Sequence, residues 1–315
     1  MEKPNSVTTD LSGDRELPDE EALIKQVMLT ENTVWKNNIK KSEIDKWLKN
    51  FSGKVEDIDY ERRIALWLLS NFVYYNLEEI RHLCVVMYRE YIHQRLSEMS
   101  PSRAVDDFKK IAKDTRFASL GNFSESSFNL LYYFRQGNIL SIDSFDFPDK
   151  KKDLFDNLVF IEDVTVTGKQ AARYLKNFKE DFIKNKNLYL LTLISTEESI
   201  QFLKNKGITV IPSITLDDRS KCFSPNSAVF HNFKKVFPKA KKFAQYYGKI
   251  CLENQNRTYE IDPLGFEDGQ LLCAFPHNTP NNTLPIFWAD NEKWSSLFKR
   301  YEKDTNEVYT LGNYV

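Results

Sequence analysis

Glycine and proline are scarce: 10 and 11 residues in a chain of 315, against roughly 12% in average usage. The shortage excludes a loop-rich scaffold and points to long helices with few turns. Cysteine is scarce too. Cys84, Cys222, Cys251 and Cys273 include no C-x-x-C pair, which argues against a disulfide framework and predicts reduced, mostly buried thiols. Neither does any of the four histidines pair with another His or Cys at the spacing of zinc ligands. Charge of one sign is not in excess: 44 Lys plus Arg face 45 Asp plus Glu, so charge alone implies no polyanionic partner. No stretch approaches the roughly 20 apolar residues of a membrane span, since the best run, Ile64 to Leu77, is broken by Ser70, Asn71 and Asn76. No membrane association is expected. The first residues are polar and acidic with no apolar h-region, so the protein is expected to be cytoplasmic, with residues 1–20 as a disordered tail. Walker A and Gly-x-Gly-x-x-Gly patterns are absent, which removes the simplest NTPase and dinucleotide readings.

What is present falls into two parts. Residues 21–114 carry helical spacing, with Ile44, Trp47, Leu48 and Phe51, then Ile64, Trp67, Leu68 and Phe72, then Ile80, Leu83, Met87 and Tyr91 recurring three and four apart. This predicts an all-α subdomain of about four helices, with Trp47, Leu48, Trp67 and Leu68 buried. Residues 115–315 change period. Arg116–Leu120 is short and apolar, Glu125–Gln136 helical, and Leu158–Ile161 (LVFI) a continuous apolar run, as in a strand buried on both faces. A helix over 168–186, a strand over 188–194, a helix over 197–206 and a strand over 208–211 follow. Such alternation predicts an α/β domain with a parallel sheet flanked by helices, and Gln270–Phe275 is expected as its last strand.

The most informative stretch is LVFIEDVTVTGKQAARYL. Its strand ends in Glu162 and Asp163, and open parallel sheets bind ligands at the carboxyl ends of their strands. The loop Val164, Thr165, Val166, Thr167, Gly168, Lys169 and Gln170 would offer backbone N–H groups and a helix start to a phosphate. Gly168 would allow close approach and Thr167 add a hydroxyl. Two carboxylates beside a phosphate cradle suit a phosphorylated sugar, because the acids accept from vicinal hydroxyls while the amides hold the phosphate. The plain alternative is that the acids cap the following helix.

This stretch resembles the ribose-phosphate signature of type I phosphoribosyltransferases, in which apolar residues lead to two acids, a short linker and Thr-Gly-x-Thr. Glu162, Asp163, Thr167 and Gly168 match it; Glu162 stands where Asp is commoner, Val166 where a hydroxyl residue is frequent, and Gln170 in place of the closing Thr. The earlier SLGNFSESSFNLLYYFRQGN resembles the pyrophosphate loop of that fold, with Gly121, Asn122, Ser124, Glu125 and Ser126 in binding positions. With AFPHNTPNNTLPIFW near the C-terminus, the chain is similar over most of its length to PRTase-CE proteins of bacterial conflict and anti-phage systems. The resemblance implies a type I phosphoribosyltransferase-like sheet that binds phosphoribosyl pyrophosphate or a nucleotide. Glu162 and Asp163 would act in catalysis and, through water, face Mg2+. It also implies a protein partner from a defence operon. One departure bears on activity: only Asn138–Asn157 separates the two loops, where catalytic relatives carry a strand-rich hood that excludes water. Two readings therefore stand, a phosphoribosyl- or glycosyltransferase and a non-catalytic nucleotide sensor, effector or scaffold subunit using the same pocket.

Other features have plainer readings beside the functional one. Asp217 and Asp218 suit a solvated turn more than a metal edge. Six lysines and no acid lie within Phe233–Lys249, where a solvated helix face is favoured over nucleic-acid contact. Phe287 and Trp288 suit the core more than base stacking. His277, in a Pro-His-Asn-Thr-Pro turn, suits a backbone-bonded turn as well as a place near a leaving group.

Overall fold

The computed structural model describes residues 14–36, 38–99, 105–120, 126–145, 155–176, 185–253 and 262–301. The chain begins with α1 (Glu20–Thr33), α2 (Lys41–Leu48), α3 (Ile58–Ser70) and the short β1 (Val73–Tyr74), followed by α4 (Leu77–Met99) and α5 (Val105–Lys113). Strands and helices then alternate: β2 (Thr115–Ser119), α6 (Ser126–Gly137), β3 (Asn157–Thr165), α7 (Lys169–Leu175), β4 (Asn187–Thr196), α8 (Glu197–Lys204) and β5 (Ile208–Leu216). The last elements are α9 (Val236–Leu252), β6 (Cys273–Ala274) and α10 (Pro285–Trp288).

Two compact units result. One gathers the described residues of Met1–Tyr75, Asp218–Phe275 and Thr279–Arg300, the other those of Asn76–Asp217, Pro276–Asn278 and Tyr301–Val315. This division differs from the expected boundary between 21–114 and 115–315, and side-chain packing gives the reason. On α4, Tyr88 and Tyr91 lay their rings against Phe117 of β2, at centroid distances of 6.0 and 6.2 Å, so this helix covers the sheet. The expected disordered tail lies, up to residue 13, outside the described residues.

In the second unit β2, β3, β4 and β5 form one sheet in that order, every neighbouring pair parallel. Alternation along the strands separates the two faces. Phe117 and Tyr189 meet Tyr91 of α4 and Phe134 of α6. Leu158, Phe160 and Leu190 pack with Ala171 and Leu175 of α7 and Leu203 of α8. Burial on both faces explains the unbroken apolar run of β3. Gln270–Phe275 does not extend this sheet. Only Cys273 and Ala274 are strand, and they pair in parallel with Val73 and Tyr74 in a separate two-stranded sheet. An apolar run reports burial but not which sheet receives it.

The first unit is built on aromatic side chains. Trp47 is fully buried, stacks on Phe287 at 5.2 Å and donates its indole N–H to the Ile286 carbonyl at 2.8 Å. Phe51 meets Phe243, Tyr247 and Trp294. Trp67 departs from expectation: it is half-buried at the rim, against Phe233 and donating to the Val229 carbonyl at 3.2 Å. Near this core a wholly buried carboxylate, Glu61, accepts N–H bonds from Gly53, Val55 and Glu56 and the Tyr247 hydroxyl at 2.6 Å. No helix among the described residues is long and apolar enough to cross a membrane.

Candidate functional site

The carboxyl end of β3 carries both predicted acids. Glu162 and Asp163 are 7% and 8% exposed, an unusual depth for adjacent carboxylates, which are seldom buried without partners. Local hydrogen bonds hold them. Asp163 donates its backbone N–H to Glu162 Oε1 at 3.0 Å, and Val164 donates its own to Asp163 Oδ1 at 2.8 Å. Asp163 Oδ2 lies 3.4 Å from Nε2 of His277, which the chain brings from 114 residues away. The capping alternative does not hold: α7 starts at Lys169 and its N-cap is Gly168, with neither acid in the capping position.

Behind the acids sits a cluster of buried hydroxyls, of which Thr165 alone is among the predicted site residues. Thr165 Oγ1 and Ser195 Oγ are 2.7 Å apart, Ser195 and Thr192 likewise 2.7 Å, and Ser199 donates to Thr165 at 2.8 Å. Thr196, the N-cap of α8, accepts the Ser199 N–H at 3.1 Å and donates its hydroxyl to the Val166 carbonyl. Hydroxyls from the β4–α8 junction thus fasten the backbone of the β3–α7 loop. The signal was present in LTLISTEES, where three hydroxyl residues interrupt an apolar strand end.

The predicted cradle residues divide by environment. Val164 uses its N–H on Asp163 and Thr165 its hydroxyl in the cluster. Val166, which stands where the motif often carries a hydroxyl residue, is buried. Thr167 is half-buried and accepts the Lys169 N–H at 3.4 Å, while Lys169 and Gln170 are exposed in the first turn of α7. Gly168 has a φ of 72°, in the left-handed region, and a Cβ there would lie 2.8 Å from Leu203 Cγ. Packing against α8 and backbone conformation therefore both require glycine.

Of the second predicted loop, Gly121, Asn122, Ser124 and Glu125 lie outside the described residues, and Ser126 opens α6. Ser119 registers with Ile161, and the Leu120 N–H donates to the Ile161 carbonyl at 3.1 Å. The chain therefore leaves β2 beside the acids. Among the described residues no group of three or more His, Cys, Asp or Glu side chains is placed to hold a metal ion.

Asp218 and the pair Phe287 and Trp288 resolve toward their plainer readings. Asp218, in the first unit, accepts from Ser224 and Asn226 in its own turn, and these bonds hold its carboxyl below the usual range. Phe287 and Trp288 are core. On α9 the lysines face outward, with Lys239 paired to Glu56 at 3.2 Å.

A parallel sheet with two buried acids and a shaped loop at its carboxyl edge defines an α/β protein whose acids stand at the edge where open parallel sheets take their ligands. The family follows from comparison: a model of PRTase-CE matches residues 44–300, and the chain belongs to the PRTase-CE family. Among solved structures it is similar to an orotate phosphoribosyltransferase from Aeropyrum pernix, at 12% identity and a TM-score of 0.24, covering 40% of this chain and 70% of that one. No curated protein matches the chain.

Proposed function

We propose that the carboxyl end of β3 binds a ribose 5-phosphate compound, phosphoribosyl pyrophosphate or a nucleotide, and that the protein acts in bacterial anti-phage defence. The observation that carries the binding site is the burial of Glu162 and Asp163 side by side at that strand end, in a chain of the PRTase-CE family. The defence role rests on the resemblance of the motif and flanking segments to proteins of bacterial conflict systems. In the bound state the two carboxylates accept from the ribose 2- and 3-hydroxyls, and the Thr167–Gln170 turn with the loop after β2 takes the phosphate groups.

As a transferase, the protein would pass through an oxocarbenium-like state at the anomeric carbon. The negative charge of Glu162 and Asp163, held in a site of low exposure, stabilises that state more than the ground state. Hard carboxylate oxygens suit contact with Mg2+ through water, and when bound the ion would neutralise charge on pyrophosphate. Phosphate oxygens of the bound compound would supply further coordination, as they do where Mg2+ is held by one or two carboxylates.

The second reading, a non-catalytic nucleotide sensor or effector subunit docking a defence partner through the same pocket, is favoured by one observation. Only Asn138–Asn157 separates the two loops, a shorter span than the strand-rich hood of the catalytic proteins the chain resembles. Pyrophosphate release from phosphoribosyl pyrophosphate with Mg2+ and a panel of nucleobases separates the readings. A transferase releases pyrophosphate and Asp163→Asn abolishes it; a sensor binds and releases none.

A further inference from the structure

His277 belongs by sequence to the C-terminal part of the chain, most of which packs in the first unit. Three residues, Pro276–Asn278, leave it and pack in the second unit, as Tyr301 also does. That short excursion is secured at Asn278, whose Oδ1 accepts the Tyr301 backbone N–H at 3.0 Å. Its result is to set His277 Nε2 3.4 Å from Asp163 Oδ2, with the two side chains 6% and 12% exposed. The other oxygen of the same carboxylate, Oδ1, takes the Val164 N–H.

We infer that His277 is a positioning residue for Asp163: the imidazole and the Val164 amide hold the carboxylate from its two oxygens, fixing its plane for the ribose hydroxyls. This inference rests on the binding reading above and deepens it. A carboxylate oxygen accepts more than one hydrogen bond, so fixing both oxygens leaves acceptor capacity for a ligand. A side chain oriented before binding loses less rotamer freedom when the ligand arrives. The role needs an N–H donor at the Nε2 position and not an imidazole as such. Gln places its amide nitrogen near that point, whereas Ala places nothing there.

The full chain is titrated calorimetrically with ribose 5-phosphate as wild type, His277→Gln and His277→Ala, with thermal unfolding followed in parallel. The expected pattern is an affinity within about threefold of wild type for His277→Gln and about tenfold weaker for His277→Ala, the size of one hydrogen bond to a charged group. That rescue is the signature a purely structural histidine would not give, because loss of packing would move the unfolding temperatures of both variants and not the affinity of one. Wild-type affinity in His277→Ala, or equal weakening in both variants, overturns the inference and leaves the binding reading standing. A wild-type chain that binds neither ribose 5-phosphate nor phosphoribosyl pyrophosphate with Mg2+ overturns the binding reading, and the positioning role with it. Should His277→Ala fail to fold, ring-nitrogen NMR shifts of His277 in wild type and Asp163→Asn decide the pairing: a changed shift supports it and an unchanged one overturns it.

Discussion

A Cβ added at Gly168 would meet Leu203 Cγ at 2.8 Å, in a backbone conformation with φ of 72°. The glycine of the sequence motif is thus fixed by packing of α7 on α8 before any ligand is considered. Gly168→Ala should lower stability by about 2 to 4 kcal/mol, combining the left-handed cost with overpacking. Urea unfolding checks this, and an unchanged midpoint would contradict the packing of α8 against the loop. The same result makes Gly168 a poor probe of phosphate binding, since lost binding and lost folding would coincide.

The hydroxyl cluster makes a second prediction. Thr196→Val removes the N-cap of α8 and leaves the buried Val166 carbonyl without its donor, which should cost about 1 to 3 kcal/mol. Thr196→Ser should recover most of it. Chemical denaturation of the three proteins is the test, and equal stability of the Val variant would show that the loop is not fastened there.

In the first unit, Glu61 should be intolerant of a neutral amide. Gln keeps one acceptor oxygen but turns its amide N–H donors toward either the Gly53 N–H or the N–H groups of Val55 and Glu56, so Glu61→Gln should destabilise by about 3 kcal/mol. Tyr247→Phe, which removes a single hydroxyl donor at 2.6 Å, should cost about 1.5 kcal/mol. If Glu61→Gln proves the milder of the two, the carboxylate is not organising that turn.

Alkaline pH should weaken the fold. Burial pushes the Cys84 thiol from 9.0 up to about 12 and the Tyr74 hydroxyl from 10.0 up to about 12. In both cases the folded state favours the neutral form, so unfolded chains lose protons first and the contribution, complete below about pH 9, is lost as pH rises toward 12. Guanidinium unfolding at about pH 8 and about pH 10.5 should show lower stability at the higher value. The four buried thiols should also resist a thiol reagent at about pH 8 until the protein is denatured. Rapid labelling of the native protein would contradict their burial.

Much of this architecture was legible in the sequence because periodicity reports burial directly. Leu158–Ile161 reads as a doubly buried strand, and the position of Glu162 and Asp163 at its carboxyl end follows from reading the strand alone. Three features were not legible, each for a physical reason. Gln270–Phe275 is apolar in either sheet, so its pairing with β1 left no local trace. The helical spacing of α4 matches that of α3, and only the partner face, Phe117 for Tyr91, assigns it to the sheet. His277 meets Asp163 across 114 residues, and such a contact is set by how the chain returns to the sheet, not by any spacing.

The central claim, that Asp163 receives a ribose ring, is tested most directly by calorimetric titration of phosphoribosyl pyrophosphate with Mg2+ into wild type and Asp163→Asn. Asparagine keeps the size and much of the hydrogen bonding of the buried side chain but not its charge. The account predicts saturable binding to the wild type and an affinity about 10- to 100-fold weaker in the variant, equivalent to losing about 1.5 to 3 kcal/mol of charge-assisted hydrogen bonding, at an unchanged unfolding temperature. Equal affinity of the two proteins would contradict it.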